Sequence, residues 1–165
     1  MDGIVMDGFH LAPANPISAH AEDRPAILIV SDDVQLAYSF DTICDFLEIA
    51  VEAIDSSQDL GEILSARRPI AVITEIEGRK RDGYDVMMTV AAHDPVLPIL
   101  LLTGTDSALI GAAEAVEELW NLQSVSRSTG LPGMGELAEF LFQARRRVSR
   151  GRLLPVGQAR MEVQN

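Results

Sequence analysis

Three acidic side chains follow two apolar runs of the sequence, and their chemistry depends on whether the fold brings them together. Asp32 and Asp33 follow the apolar residues 25–30 after a single serine, and Glu75 follows the apolar residues 70–73 after a single threonine. Carboxylates at close range repel one another unless a cation, a proton or a basic side chain lies between them. Their oxygen atoms suit Mg²⁺, which keeps several waters and takes one or two carboxylates. These residues therefore predict an acidic pocket that contains a bound cation or a basic partner.

Each of these residues also has a simpler structural interpretation. Asp32 and Asp33 could cap the following helix, because an aspartate side chain accepts hydrogen bonds from the free amides of a first helical turn. Glu75 could be an ordinary loop residue, and Thr103 could simply finish a strand. Their placement at the ends of successive strands is harder to explain by chance, so we treat them as one candidate site.

Five apolar runs alternate with five segments of helical period along the chain. The predicted strands are residues 25–30, 51–54, 70–74, 98–103 and 122–126, and the predicted helices are residues 34–50, 58–67, 84–92, 107–119 and 134–148. Such alternation predicts a parallel sheet covered by helices on both faces. We therefore predict a doubly wound α/β fold of three αβα layers, flavodoxin-like, with the strand order 2-1-3-4-5.

This strand order decides which side chains meet. With strands one and three as neighbours, the crevice above their C-terminal ends collects Asp32, Asp33 and Glu75. The end of strand four adds Thr103 to the rim, and the end of strand five adds Arg127. The guanidinium of Arg127 could offset part of the negative charge in the pocket.

Composition limits the classes of function. The chain has 165 residues and a net charge of −12, which suits one acidic globular domain and argues against general nucleic-acid binding. Cys44 is the only cysteine of the sequence, so no intrachain disulfide can form, which fits a cytoplasmic location. The longest apolar run, residues 96–103, is too short to span a membrane. We expect neither nucleic acid nor membrane as a partner.

The two ends of the chain differ from its middle. Residues 1–24 have no regular period and no basic start typical of a signal peptide, so we predict a flexible N-terminal arm. Residues 25–148 form the predicted domain. Residues 149–165 are a predicted basic tail or linker, which could lead to an output domain.

Residues 25–147 resemble a response-regulator receiver domain of bacterial two-component signalling, the CheY-like class. The resemblance rests on the acid pair Asp32-Asp33, on Asp82-Gly83 downstream of Glu75, and on Thr103-Gly104 after strand four. It implies a signalling domain that works through a protein partner and is not an enzyme.

The resemblance also implies roles for individual residues. In the family, an aspartate stands at the position of Glu75 and accepts a phosphoryl group from a histidine kinase. The acid pair helps to hold Mg²⁺, so the implied metal ligands are Asp33, Glu75 and the backbone carbonyl of Glu77. Thr103 stands where a hydroxyl binds the phosphoryl group, and Arg127 stands where a lysine pairs with the phosphate.

The sequence departs from the receiver pattern at four places. These are Glu75 in place of the phosphoacceptor, Arg127-Ser128 in place of lysine and proline, Ser124 in place of the switch aromatic, and the basic loop Arg79-Lys80-Arg81. Because arginine presents a planar fork that fits a carboxylate, we expect Glu75 and Arg127 to form an ion pair. Such a pair would imitate the phosphorylated or metal-bound state.

The leading hypothesis is an atypical receiver, or pseudo-receiver, that lacks the phosphoacceptor aspartate and signals without phosphorylation. It would bind a protein partner through helix four, strand five and helix five, a face that could also form a homodimer. No cofactor is then required, although Mg²⁺ could bind.

Two alternatives stay open. One is a conventional Mg²⁺-dependent receiver in a phosphorelay, with Glu75 or one of the acid pair as the phosphoacceptor. The other is a small Mg²⁺-dependent phosphotransfer or hydrolytic enzyme with Asp32 as the nucleophile.

Overall fold

The computed structural model describes residues 24–55, 58–78 and 81–153, which form a five-stranded parallel sheet and five helices. The elements in chain order are β1 (Ala26–Val30), α1 (Val34–Phe46), β2 (Ala50–Ile54), α2 (Leu60–Arg67), β3 (Ala71–Glu75), α3 (Gly83–His93), β4 (Ile99–Leu102), α4 (Ser107–Leu119), β5 (Val125–Ser128) and α5 (Met134–Leu153). The order across the sheet is β2-β1-β3-β4-β5. The predicted flavodoxin-like fold is therefore confirmed.

Two apolar cores lie on opposite faces of the sheet. One packs α1 and α5 against the sheet and includes Phe40 and Leu141. The other packs α2, α3 and α4 against the sheet and includes Met87. Successive strand residues point to opposite faces, so the adjacent Val72 and Ile73 enter different cores, and each is 0% exposed. Burial on both faces explains why the strands are continuous apolar runs.

Aspartate begins each of the first four helices. The side chains of Asp33, Asp59, Asp82 and Asp106 each accept a hydrogen bond from a backbone amide in the first turn of α1, α2, α3 and α4, respectively. Such caps satisfy amides that have no partner inside the helix. Of the acid pair after β1, Asp33 is therefore the residue that caps α1.

Several element boundaries differ from the predictions. Helix α1 ends at Phe46, because Glu48 takes a positive φ of 56° and Ala50 already begins β2. Strand β5 is Val125–Ser128, not residues 122–126. Helix α5 continues past the predicted end of the domain at residue 148, as far as Leu153.

Parts of the predicted domain organisation fall outside the described ranges. These parts are residues 1–23 of the predicted arm, residues 154–165 of the predicted tail, and Arg79 and Lys80 of the basic loop. No helix within the described ranges is long and apolar enough to cross a membrane.

Candidate functional site

A cleft of about 460 Å³ opens where the strands of the sheet end. Its lining comes from residues at or after the ends of β1, β3, β4 and β5, and it includes Asp33, Glu75, Glu77, Thr103 and Thr129. An adjoining opening is lined by Asp32, Asp33, Glu75, Glu77 and Gly78. The structure thus brings the predicted acidic residues and Thr103 to the crevice that doubly wound sheets use for ligands.

Glu75 is the last residue of β3, and hydrogen bonds join it to the end of β1. Its Oε2 atom accepts a hydrogen bond of 2.9 Å from the Ser31 hydroxyl. The Ser31 oxygen in turn accepts a hydrogen bond of 3.0 Å from the backbone amide of Asp33. At the same junction, the Thr74 hydroxyl lies 3.3 Å from the carbonyl oxygens of both Val30 and Glu75 and can donate to one of them. A short polar chain therefore orients the Glu75 carboxylate.

Ser31 is not among the site residues that the sequence predicts. A serine after a strand is typical of turns and helix caps, and its link to Glu75 joins residues 44 apart in the chain. The only local signal was its position directly before the acid pair.

The two aspartates after β1 have different surroundings. The Asp33 carboxylate accepts a hydrogen bond of 2.9 Å from the Gln35 amide as the cap of α1. Asp32 lines a narrow pocket that also includes Ser31 and Glu75, whereas Asp33 does not line this pocket. Asp33 lines the large cleft and the adjoining opening together with Glu75 and Glu77, and the preference for Asp33 over Asp32 as a metal ligand stays a prediction.

Arg127 lies outside the cleft, and the predicted Glu75–Arg127 ion pair is wrong. Its guanidinium pairs with Glu117 of α4. The reason is the position of β5: Arg127 lies inside the strand, in register with Leu101, and not after its end. Thr129 is the first residue beyond β5 and lines the cleft instead.

Thr103 follows β4 and is buried, with 4% of its surface exposed. Its hydroxyl lies within hydrogen-bond distance of the carbonyl oxygens of Gly104, at 3.1 Å, and Ser128, at 3.3 Å. Its amide also donates to the Ser128 carbonyl at 2.8 Å. Thr103 is thus held by the backbone at the end of β5.

The Asp82-Gly83 step closes the loop that follows β3. The Gly83 amide donates a hydrogen bond of 2.8 Å to the Ile76 carbonyl. A Cβ atom on Gly83 would lie 2.6 Å from the Glu75 carbonyl oxygen, so only glycine fits this close approach without movement of the backbone. This step therefore sets the start of α3 directly against the end of β3.

One residue of the predicted basic loop, Arg81, lies beside the acidic residues. Arg81 lines the narrow pocket together with Asp32 and Glu75. Its Nη2 atom donates a hydrogen bond of 2.9 Å to the Gln58 carbonyl. Its Nη1 atom is buried and has no hydrogen-bond partner in the described part of the chain.

Two residues of the Mg²⁺ site that the receiver resemblance implies, Asp33 and Glu75, use their carboxylates in hydrogen bonds within the chain. Among the residues that the structure describes, no group of three or more His, Cys, Asp or Glu side chains is placed to hold a metal ion. The Glu75 carboxylate is bonded to Ser31, and the Asp33 carboxylate caps a helix. Arg81 also brings a positive charge to the narrow pocket. The metal set of Asp33, Glu75 and Glu77 stays a prediction.

Solved structures with a similar fold include several receiver domains. A response regulator receiver domain protein from Clostridium thermocellum is 20% identical with a TM-score of 0.61, over 76% of this chain and 98% of that chain. The signal receiver domain of a putative Luxo repressor protein from Vibrio parahaemolyticus is 15% identical with a TM-score of 0.62, over 79% and 96%. A response regulator receiver protein from Sinorhizobium medicae is 21% identical with a TM-score of 0.57, over 75% and 96%. These likenesses show that the chain has the receiver fold.

No curated protein matches the sequence. A family model does match it: the model described as flagellar regulatory protein FleQ covers residues 26–125, from the start of β1 to the first residue of β5. This match spans more than half of the chain and nearly all of the sheet. The chain therefore belongs to the family of the flagellar regulatory protein FleQ, and it has the fold of a response-regulator receiver domain.

Proposed function

We propose that this chain is an atypical receiver domain that contributes to flagellar regulation by binding a protein partner, without phosphorylation and without enzyme activity. The observation that carries this proposal is Glu75, which ends β3 at the place where receiver domains have the phosphoacceptor aspartate. The family description supports the flagellar role, and the receiver fold supports signalling. We expect the domain to act in the cytoplasm.

The surroundings of Glu75 support signalling without phosphorylation. A glutamate side chain is one methylene longer than aspartate, so an acyl phosphate on it would be displaced from the usual position. Its Oε2 atom already accepts a hydrogen bond from Ser31. None of the described residues that line the large cleft is basic, and Thr129 stands after β5. A phosphoryl group would therefore add negative charge beside Asp33 and Glu77 without a cation in that cleft.

Phosphorylation chemistry provides the direct test. The protein is incubated with acetyl phosphate and Mg²⁺, and its intact mass is measured, with a conventional receiver domain treated in parallel as the positive control. We expect no adduct on this chain.

A stoichiometric phosphoryl adduct that disappears in Glu75→Ala would overturn the proposal and establish the conventional receiver. An adduct that disappears in Asp32→Asn or Asp33→Asn, but persists in Glu75→Ala, would also overturn it and would move the phosphoacceptor to the acid pair.

The face formed by α4, β5 and α5 is the proposed partner surface. Its α4 side is an acidic groove lined by Glu114, Glu117, Glu118, Asn121, Leu122 and Arg127. Two arginines of α5 are used inside the domain, because Arg145 donates to the Leu47 carbonyl at 2.6 Å and Arg147 pairs with Asp94 at 2.5 Å. In a symmetric dimer, the acidic groove of one copy would therefore meet fewer free arginines on the other copy than the sequence indicated.

This charge distribution favours a separate protein with a basic surface over a symmetric homodimer through the same face. Light scattering during gel filtration tests the choice, with a monomer expected at micromolar concentration. A dimer that Glu114→Lys and Glu118→Lys together dissociate, but the α2 control Glu62→Lys does not, would establish the homodimer instead.

A further inference from the structure

Arg81 lies on the loop between β3 and α3, and it reaches back to the ends of the first three strands of the sequence. It lines the narrow pocket with Ser31, Asp32 and Glu75. Its hydrogen bond to the Gln58 carbonyl also holds it against the segment that follows β2. The guanidinium is therefore placed between the β2–α2 loop and the acidic residues.

The narrow pocket has almost no free space. Its volume is about 10 Å³, which is at the lower limit for one water molecule. Mg²⁺ keeps several of its waters when proteins bind it. A hydrated divalent ion therefore does not fit inside this narrow pocket. The space for one is the adjoining opening of about 460 Å³, which Asp32 and Glu75 also line, and the charge of Arg81 acts on that opening from the neighbouring pocket.

Arg81 is only partly buried, and its environment both disfavours and favours its charge. The Nη1 atom has no hydrogen-bond partner within the described ranges, and leaving a buried polar atom unpaired is unfavourable. The negative charges of Asp32 and Glu75, which line the same pocket, attract the guanidinium. The same attraction removes part of the repulsion between the two carboxylates.

We propose that Arg81 is the internal counter-cation of the acidic pocket and takes the electrostatic place of a divalent metal ion beside Asp32 and Glu75. Arg81 is a positioning residue, since it acts through the two carboxylates and the Ser31 link. This inference deepens the proposed function, because a pocket that contains its own cation needs no metal for its folded arrangement. This inference and the proposed function can fail separately. The inference is tested by cation binding, and the proposed function is tested by the formation of an acyl phosphate.

The test is Mn²⁺ binding measured by the loss of the free-ion signal in electron paramagnetic resonance. The main variant is Arg81→Met, which keeps most of the side-chain length, removes the charge and removes the buried unpaired nitrogen, so that the fold is expected to persist. Arg81→Gln is the second uncharged variant, and Arg81→Lys keeps the charge. Arg67→Met is the matched control, because it removes one positive charge from an exposed ion pair with Glu52.

We expect the wild type, Arg81→Lys and Arg67→Met to bind Mn²⁺ equally weakly. Arg81→Met and Arg81→Gln should bind it at least about tenfold more tightly, because a repelling charge has left the pocket. Adding Glu75→Gln to Arg81→Met should abolish the gain. A purely structural role of Arg81 would not separate the lysine variant from the uncharged ones in this way.

Three outcomes would overturn the proposal. The first is equal Mn²⁺ affinity of the wild type and both uncharged Arg81 variants. The second is an equal gain in Arg67→Met, which would assign the effect to the net charge of the protein. The third combines two results. Both uncharged variants are unfolded at neutral pH by circular dichroism, and Arg81→Lys is folded but binds Mn²⁺ tightly.

Discussion

The Ser31 hydroxyl donates a 2.9 Å hydrogen bond to the Glu75 carboxylate and thereby joins the ends of β1 and β3. These are the adjacent strands at which the chain changes its direction of winding, and their ends form the ligand crevice of this fold. An intramolecular hydrogen bond thus holds the Glu75 carboxylate at the crevice where the receiver resemblance places the phosphoacceptor.

Removing this hydrogen bond should weaken the fold measurably. We expect Ser31→Ala to lower the free energy of unfolding by about 1–2 kcal/mol, because a partly buried carboxylate loses a donor. Urea denaturation measures the change. The control is Ser39→Ala, which removes an exposed hydroxyl bonded to the Gln35 carbonyl of its own helix, and it should change stability by less than about 0.5 kcal/mol. Equal losses in both variants would contradict a special role of the Ser31–Glu75 link.

Glycine at position 83 should be required by the close packing of α3 against β3. In Gly83→Ala the new methyl group would lie 2.6 Å from the Glu75 carbonyl oxygen and 2.9 Å from the Ile76 Cα atom. We expect a loss of about 1–3 kcal/mol in the free energy of unfolding, as for other overpacked sites.

The matched control for this variant is Gly111→Ala in the middle of α4, where nothing apart from the neighbouring backbone of the helix itself lies within 4 Å of the added methyl group. Because alanine favours a helix more than glycine does, this variant should gain about 0.5–1 kcal/mol. Both values come from thermal or urea unfolding, and a neutral Gly83→Ala would show that the loop after β3 yields easily.

The thiol of Cys44 should be unreactive in the folded protein. Burial, followed by the negative charges of Asp41 and Asp45, raises its pKa to about 11. The thiolate is the reactive form, so we expect almost no reaction with Ellman's reagent at pH 8 until urea unfolds the chain. Ser39→Cys in a Cys44→Ala background places a thiol at an exposed position on the same helix and should react at once. Rapid native-state reaction of Cys44 would contradict its burial.

The ion pair between Asp94 and Arg147 should make stability depend on acid pH. Burial alone would raise the pKa of Asp94, but hydrogen bonds from Arg147 and the Val96 amide, with the nearby positive charges, lower it below its usual value of 3.8. Its contribution to stability is therefore fully present above pH 3.8 and is lost as the pH falls through the lowered pKa.

We expect Asp94→Asn to reduce the free energy of unfolding at pH 7 by about 0.5–1 kcal/mol, a small value because both side chains are partly exposed to solvent. The difference from the wild type should shrink as the pH falls through the lowered pKa, and Arg147→Met should show the same trend. Urea unfolding between pH 2 and pH 7 measures it, and a difference that does not depend on pH would contradict the pairing.

The sequence by itself determined the fold class and the general position of the site. Burial on both faces makes each strand a continuous apolar run in the sequence. The strands alternate with segments of helical period, which are also visible in neighbouring residues. Strands and helices can therefore be identified without knowing which distant residues meet. The end of β3 at Glu75 and the acid pair after β1 follow from the same pattern. Strand order then placed Asp32 and Glu75 at one edge of the sheet.

Only the tertiary structure decided which side chains pair within that site. Strand β5 is short and partly exposed, so its apolar pattern is weak, and the predicted strand begins three residues before the observed one. For this reason Arg127 was predicted to lie in the cleft, which Thr129 lines instead. Ser31 and Arg81 meet partners that are distant in the chain. A charged or polar side chain has the same local sequence signal whether it faces solvent or a pocket, and its partner depends on the three-dimensional packing of separate elements.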